Sequence, residues 1–179
     1  MSKSLADQTK TSNPQNSPKL RVIHGNFMEQ EGVESLVFFM PEELSWQGLL
    51  NAAILVRFGP KLDEYILDHA VKPKRGDVFL IPADVSPYPR LILGILPKWD
   101  GGMDDEERAL KKCLRGMIER AEEAGVSSIA FPALGMGNKD YPIRKAARLT
   151  MGVLSSFPYK NLREIRVVCK SPEMFDAYS

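Results

Sequence analysis

From Asp104 to the C-terminus the hydrophobic pattern alternates between helical and strand periods, and this constrains the fold more than any other feature. Asp104–Glu107 opens a long helix, where acidic side chains suit the N-terminal dipole and cap free N–H groups. Its apolar stripe runs Leu110, Cys113 or Leu114, Met117 and Ala121, and Gly125 stands at the C′ position. Ser128–Phe131 reads as a strand. Pro142 then starts a second helix, with a stripe of Ile143, Ala146 or Ala147, Thr150 and Leu154. Ile165–Cys169 is a last strand before a helical turn around Met174 and Phe175. Strands that alternate with helices predict an α/β fold with a central mixed, partly parallel sheet and helices on both faces.

The first half supplies more of the same. Leu20–His24 reads as a strand, and the apolar run Ser35–Met40 as a buried one stopped by Pro41. Leu49–Phe58 is apolar almost all round, which predicts a largely buried helix. A break at Gly59-Pro60 leads to a helix from Lys61 to about Ala70, with Leu62, Tyr65, Ile66 and Ala70 on one stripe. Lys72–Gly76 is a basic turn, and Asp77–Pro82 and Leu91–Leu96 are two more strands. Residues 1–19 are rich in Ser, Thr, Asn, Gln, Lys and Pro, so a disordered polar tail is expected before a single domain over 20–179.

Charge and cysteine content exclude several classes of function. Lysine and arginine total 24 against 23 acidic residues, a net charge of +1. No overall field draws such a chain to nucleic acid or an anionic membrane, although a local basic groove stays open. Cys113 and Cys169 have no metal-ligand spacing and read as buried thiols, which points to a reducing, cytoplasmic setting. The apolar runs are far too short to span a bilayer, and the N-terminus lacks the apolar core of a signal peptide. No cofactor and no metal is called for. Glu42-Glu43 and Asp104–Glu107 read as a surface loop and a helix cap, and His24 and His69 as structural residues. Trp46 and Trp99 stand near the site loops, where stacking on a base and plain packing are both open.

The strongest candidate site is the glycine loop Ala133-Leu134-Gly135-Met136-Gly137-Asn138, between a strand and a helix. Glycines let a backbone approach a ligand closely, and successive N–H groups before a helix suit an anion. The loop lacks the Walker A ending and is not a dinucleotide GxGxxG. It stands beyond the carboxyl end of a strand, where open α/β sheets bind ligands. A plain strand-to-helix turn explains the two glycines equally well.

A wider pattern runs from Gly25-Asn26 through Gly48–Ile54, Phe58-Gly59-Pro60, Gly76-Asp77 and Ile95–Trp99 to Ile129–Asn138 and Tyr141-Pro142. In this order the chain resembles the macro domain family over Leu20–Tyr178, most specifically in Ile-Ala-Phe-Pro-Ala with the following Gly and Tyr-Pro. The resemblance implies a three-layer α/β/α sandwich with a cleft for ADP-ribose or a related nucleotide. It assigns Leu134, Gly135, Met136, Gly137, Asn138 and Lys139 to the loop around the diphosphate and distal ribose. Gly48 and Leu49 fall on the opposite wall, and Asn26 with Phe27 at the base. Asn26 replaces an aspartate, and its carbonyl still accepts a hydrogen bond from an adenine amino group, without charge.

Two departures bear on catalysis. Phe38-Phe39-Met40-Pro41 stands where the family usually has Asn-Ala-Ala-Asn, and Asn51 where some members carry an acidic residue. Neither replacement is a general base. The expectation is therefore binding of an ADP-ribose-like small molecule or an ADP-ribosylated macromolecule, without hydrolysis. A macro-type hydrolase removing ADP-ribose or acyl groups from ADP-ribose is the alternative. A second alternative is an interaction scaffold with a degenerate cleft, which Phe39 or Met40 filling the cleft would favour.

Overall fold

A computed structural model of the protein describes residues 17–135 and 140–179. Its strands are β1 (Lys19–His24), β2 (Ser35–Met40), β3 (Val78–Leu80), β4 (Arg90–Ile95), β5 (Ser128–Pro132) and β6 (Glu164–Cys169). Its helices are α1 (Leu49–Phe58), α2 (Pro60–His69), α3 (Glu106–Ala124), α4 (Ile143–Ser156) and α5 (Pro172–Tyr178). A 3-10 turn, Phe27–Glu29, follows β1.

The six strands form one sheet in the order β1-β6-β5-β2-β4-β3. Every neighbouring pair is parallel except β3 with β4. Connectivity explains this. The chain between β4 and β5 and between β5 and β6 holds a helix, long enough to carry it back for a parallel pairing. Only the loop 81–89 joins β3 to β4, so that strand returns antiparallel.

Both sheet faces are covered, which is why β2 reads as a continuous apolar run. Leu36, Phe38 and Met40 pack on one face with Ile54 of α1 and Leu62 and Ile66 of α2. Val37 points the other way, with Ile92, Ile129 and Ile165, toward Leu110, Cys113 and Met117 of α3 and Leu154 of α4. The result is the expected three-layer α/β/α sandwich. Gly94 lets α3 press closely on β4: a Cβ there would overlap Cys113 Sγ and Met117 Cε. Among the described residues no helix is long and apolar enough to cross a membrane.

Three local expectations need correction. α1 is not largely buried: only Asn51 and Ile54 are, while Leu49 is 92% and Val56 85% exposed. One face of α1 meets the sheet, and among the described residues no second layer covers the other. Asp104 and Asp105 do not cap α3. Asp105 is left-handed (φ 57°) with no side-chain cap bond. Instead the buried carboxylate of Glu106 turns back, accepting from the N–H groups of Asp100 (2.6 Å), Gly102 (3.1 Å) and Asp104 (2.7 Å). Finally, β1 begins at Lys19, whose N–H donates to Arg163 O at 2.8 Å, so the first strand starts one residue earlier than expected. Residues 1–16 of the expected tail lie outside the described residues.

Candidate functional site

Parallel strands point their carboxyl ends the same way, and those of β1, β6 and β5 open on one cleft of about 600 Å³. Gly25–Met28 after β1 form one wall, Leu49, Leu50 and Ala53 of α1 another, and Pro132, Ala133, Val168 and Lys170 the floor and rim. Two backbone bonds fix the floor: Gly25 N–H donates to Cys169 O (2.9 Å) and Ala133 N–H to Val168 O (3.0 Å).

Asn26 ends β1 by capping the 3-10 turn. Its Oδ1 accepts from Met28 N at 2.9 Å, and its own carbonyl accepts from Gln30 Nε2 at 2.9 Å. The carboxamide is thereby held in place, with one lone pair of Oδ1 still available. Phe27 is buried beneath it. On the opposite wall Gly48 precedes α1 with φ +89°, a conformation that glycine reaches without steric cost. Among the described residues nothing lies within 4 Å of where its Cβ would be.

Asn51 has a different task from catalysis. Its Nδ2 donates to Phe39 O at 2.7 Å and ties the first turn of α1 to the end of β2. A carboxylate at this position has no proton to donate, so the tie depends on the amide. Phe38 and Met40 are buried in the core and Phe39 packs against α3's side of the sheet. None of the three lines the cleft, so the condition set for a degenerate scaffold is not met. Among the described residues lining the cleft, the polar side chains are Asn26 and Lys170, with no carboxylate, imidazole or thiol.

The glycine loop leaves the floor directly. Tyr178 OH accepts from Leu134 N (2.9 Å) and donates to Leu134 O (2.7 Å), pinning the loop to the C-terminal helix. Burial pushes the Tyr178 hydroxyl well above its usual range, so it stays protonated for this role. Gly135 has φ +126°, and a Cβ there would come 2.5 Å from Ile143 Cα. Its N–H is already donated to Asp140 Oδ2 at 2.9 Å, while Asp140 Oδ1 accepts from Tyr141 N at 2.8 Å. The Leu134 and Gly135 amides are thus both engaged within the protein, to Tyr178 and to Asp140, and shape the start of the loop. Met136, Gly137, Asn138 and Lys139 lie outside the described residues.

Of the candidates from the sequence, Asn26, Phe27 and Leu49 are brought together in the cleft, Gly48 adjoins it, and Leu134 and Gly135 continue from its floor. The sequence reading missed Met28, Leu50, Ala53, Val168 and Lys170. Val168 and Lys170 were reachable from the rule about strand ends, since β6 was recognised and they flank its last residue, Cys169. Both tryptophans pack. Trp46 stacks on Phe38 and donates to Asp63 Oδ1 at 2.7 Å, and Trp99 lies against Tyr141 with Lys145 over its ring. Glu42 and Glu43 are engaged in ion pairs with Arg75 and Lys98.

Comparison with known proteins agrees with this geometry. The macro domain family model matches residues 40–150. The chain is 28% identical over 167 residues to a macro domain-containing protein of Caldanaerobacter subterraneus subsp. tengcongensis, covering 90% of this chain and 94% of that protein. It is 25% identical over 165 residues to an O-acetyl-ADP-ribose deacetylase of Pantoea vagans, covering 89% and 96%. An Oceanobacillus iheyensis macrodomain structure with ADP superposes with a TM-score of 0.80 at 23% identity, over 92% of this chain and 90% of the other. A Trypanosoma brucei macrodomain in complex with ADP-ribose gives 0.76 at 19% identity, over 89% and 67%.

Proposed function

Because this chain belongs to the macro domain family, we propose that it binds ADP-ribose, free or attached to a macromolecule, in the cleft at the carboxyl ends of β1, β6 and β5, and does not hydrolyse it. The observation that carries this reading is the open cleft between the oriented Asn26 carboxamide, the wall of α1 and the Pro132-Ala133 floor from which the Leu134–Gly135 turn leaves. The free lone pair of Asn26 Oδ1 accepts from the adenine amino group. Lys170 at the rim offsets phosphate charge, and the loop through Met136, Gly137, Asn138 and Lys139 takes the diphosphate, as the family resemblance implies. Leu49 and Gly48 face the ligand from the other wall. A cleft without a carboxylate or imidazole among its described lining residues supports binding rather than general-base hydrolysis. We assign the protein to the cytoplasm, a reading supported by two buried free thiols.

Relatives named O-acetyl-ADP-ribose deacetylases favour a second reading, in which the ligand's own phosphate activates water. One experiment separates the two. Titration calorimetry with ADP-ribose should show saturable binding by the full chain. Ala53→Trp, a change at an exposed position on the cleft wall, should remove it while leaving the melting temperature unchanged. An acetyl-release assay should show no turnover. Turnover abolished by Ala53→Trp would establish the deacetylase reading, and a wild type that does not bind ADP-ribose would refute both.

A further inference from the structure

On the far edge of the sheet from the cleft, β3 and α3 enclose a groove of about 840 Å³. β3 has β4 on one side and, among the described residues, no strand on the other. Its bonds to β4 run through alternate residues: Asp77 O accepts from Ile95 N, Phe79 is paired with Leu93, and Ile81 N donates to Leu91 O. In an antiparallel ladder the residues between them, Val78 and Leu80, turn their N–H and C=O groups outward. The other wall of the groove is the exposed face of α3 with Arg108, Lys111, Lys112 and Arg115, and one carboxylate, Glu119, a turn beyond Arg115. Among the described residues none of these four forms an ion pair. Arg120 at the end of the groove is paired with Glu123, and Asp77 is turned into its own loop by Lys74 N.

Strand and helix run side by side in the same direction. A Cβ on Gly76 would touch Lys112, and one on Gly116 would touch Val78. Two residues of strand, about 6.6 Å, therefore advance with four of helix, about 6 Å. An extended segment laid against β3 would present every second side chain to α3 at nearly the same spacing as its successive cationic turns. The four cations, against the one carboxylate of Glu119, favour acidic side chains there. They also bar a second copy of this chain, whose β3 edge would bring the same four charges against them. Residues 1–16 carry two lysines and one aspartate, so this chain's own tail does not match either.

We infer that the β3–α3 groove is a docking site for an extended acidic segment of a partner protein, added as a strand to β3 with alternate carboxylates on Arg108, Lys111, Lys112 and Arg115. Main-chain bonds to Val78 and Leu80 favour a peptide over a nucleic acid, whose backbone lacks the alternating N–H and C=O groups of a strand. The site lies apart from the cleft and does not depend on the ligand proposed there.

The test uses a fluorescein-labelled decapeptide of alternating Val and Glu, a matching Val-Lys peptide, and a labelled oligothymidylate of the same length. Fluorescence anisotropy with the full chain should show binding of the acidic peptide alone, weakening as ionic strength rises. The exposed-site double variant Arg108→Glu/Arg115→Glu should weaken it at least tenfold, with an unchanged melting temperature. Amide hydrogen exchange followed by NMR should show the Val78 and Leu80 amides protected by the peptide. Binding that survives the charge reversal overturns the inference. So does binding of the oligothymidylate without the peptide. Peptide binding that leaves Val78 and Leu80 unprotected overturns strand addition.

Discussion

Replacing Gly135 by alanine puts two costs on one atom. At φ +126° an L side chain is strained, at about 1–3 kcal/mol. The new Cβ also meets Ile143 Cα at 2.5 Å and Ile143 Cβ at 3.0 Å. Carbon atoms in contact prefer about 3.5–4.0 Å, so about 1 Å of movement is required. The obstacle is backbone at the first residue of α4 and has no rotamer by which to withdraw. Overpacking of this kind costs about 1–3 kcal/mol more. The two together come to roughly 2–6 kcal/mol, and a chain of this size loses about 2–4 °C per kcal/mol, a fall of roughly 4–24 °C. Gly48→Ala is the matched control: it has positive φ as well (+89°) but, among the described residues, nothing within 4 Å of the added carbon. It should lose only the strain part, about 1–3 kcal/mol. Thermal unfolding followed by circular dichroism gives both numbers, with calorimetry on whatever remains folded. If Gly135→Ala melts no lower than Gly48→Ala, the Ile143 contact does not constrain the loop and the reasoning is wrong.

Two further outcomes are expected. Asn51→Asp removes the donor to Phe39 O and leaves a carboxylate facing that carbonyl, at a cost of about 1–3 kcal/mol at neutral pH. The protonated acid can donate again, so the stability gap to wild type, measured by chemical unfolding, should narrow as pH falls through the carboxylate range. For Glu106, desolvation would raise the pKa, but the backbone N–H groups of Asp100, Asp104 and Gly102 outweigh it and hold the carboxyl below its ordinary range. Its contribution is therefore present above the ordinary glutamate pKa and lost as pH falls through the lowered one. Melting temperature against pH should show a shallower acid limb for Glu106→Gln than for wild type.

Much of the fold is legible in the sequence because the signals that specify it are local. Residue period, Gly125 at the end of α3 and the apolar run of β2 each report on their own few residues, and the alternation of elements then implies a parallel sheet. The same locality produced the errors. An apolar surface all round α1 does not say which side another layer will cover, and only the sheet's position buries Ile54 and leaves Leu49 and Val56 in solvent. A run of four acidic residues suggests a cap, yet Glu106 spends its carboxylate on the preceding loop. The site divides in the same way. Asn26, Leu49 and the glycine loop are recognisable as residue types at their places in the order of elements. That Asn51 ties α1 to Phe39, and that Asp140 and Tyr178 take the amides of Gly135 and Leu134, depends on partners brought together by packing. Donors and acceptors can be counted along a chain, but which of them are already occupied is decided only when the strands and helices have come together.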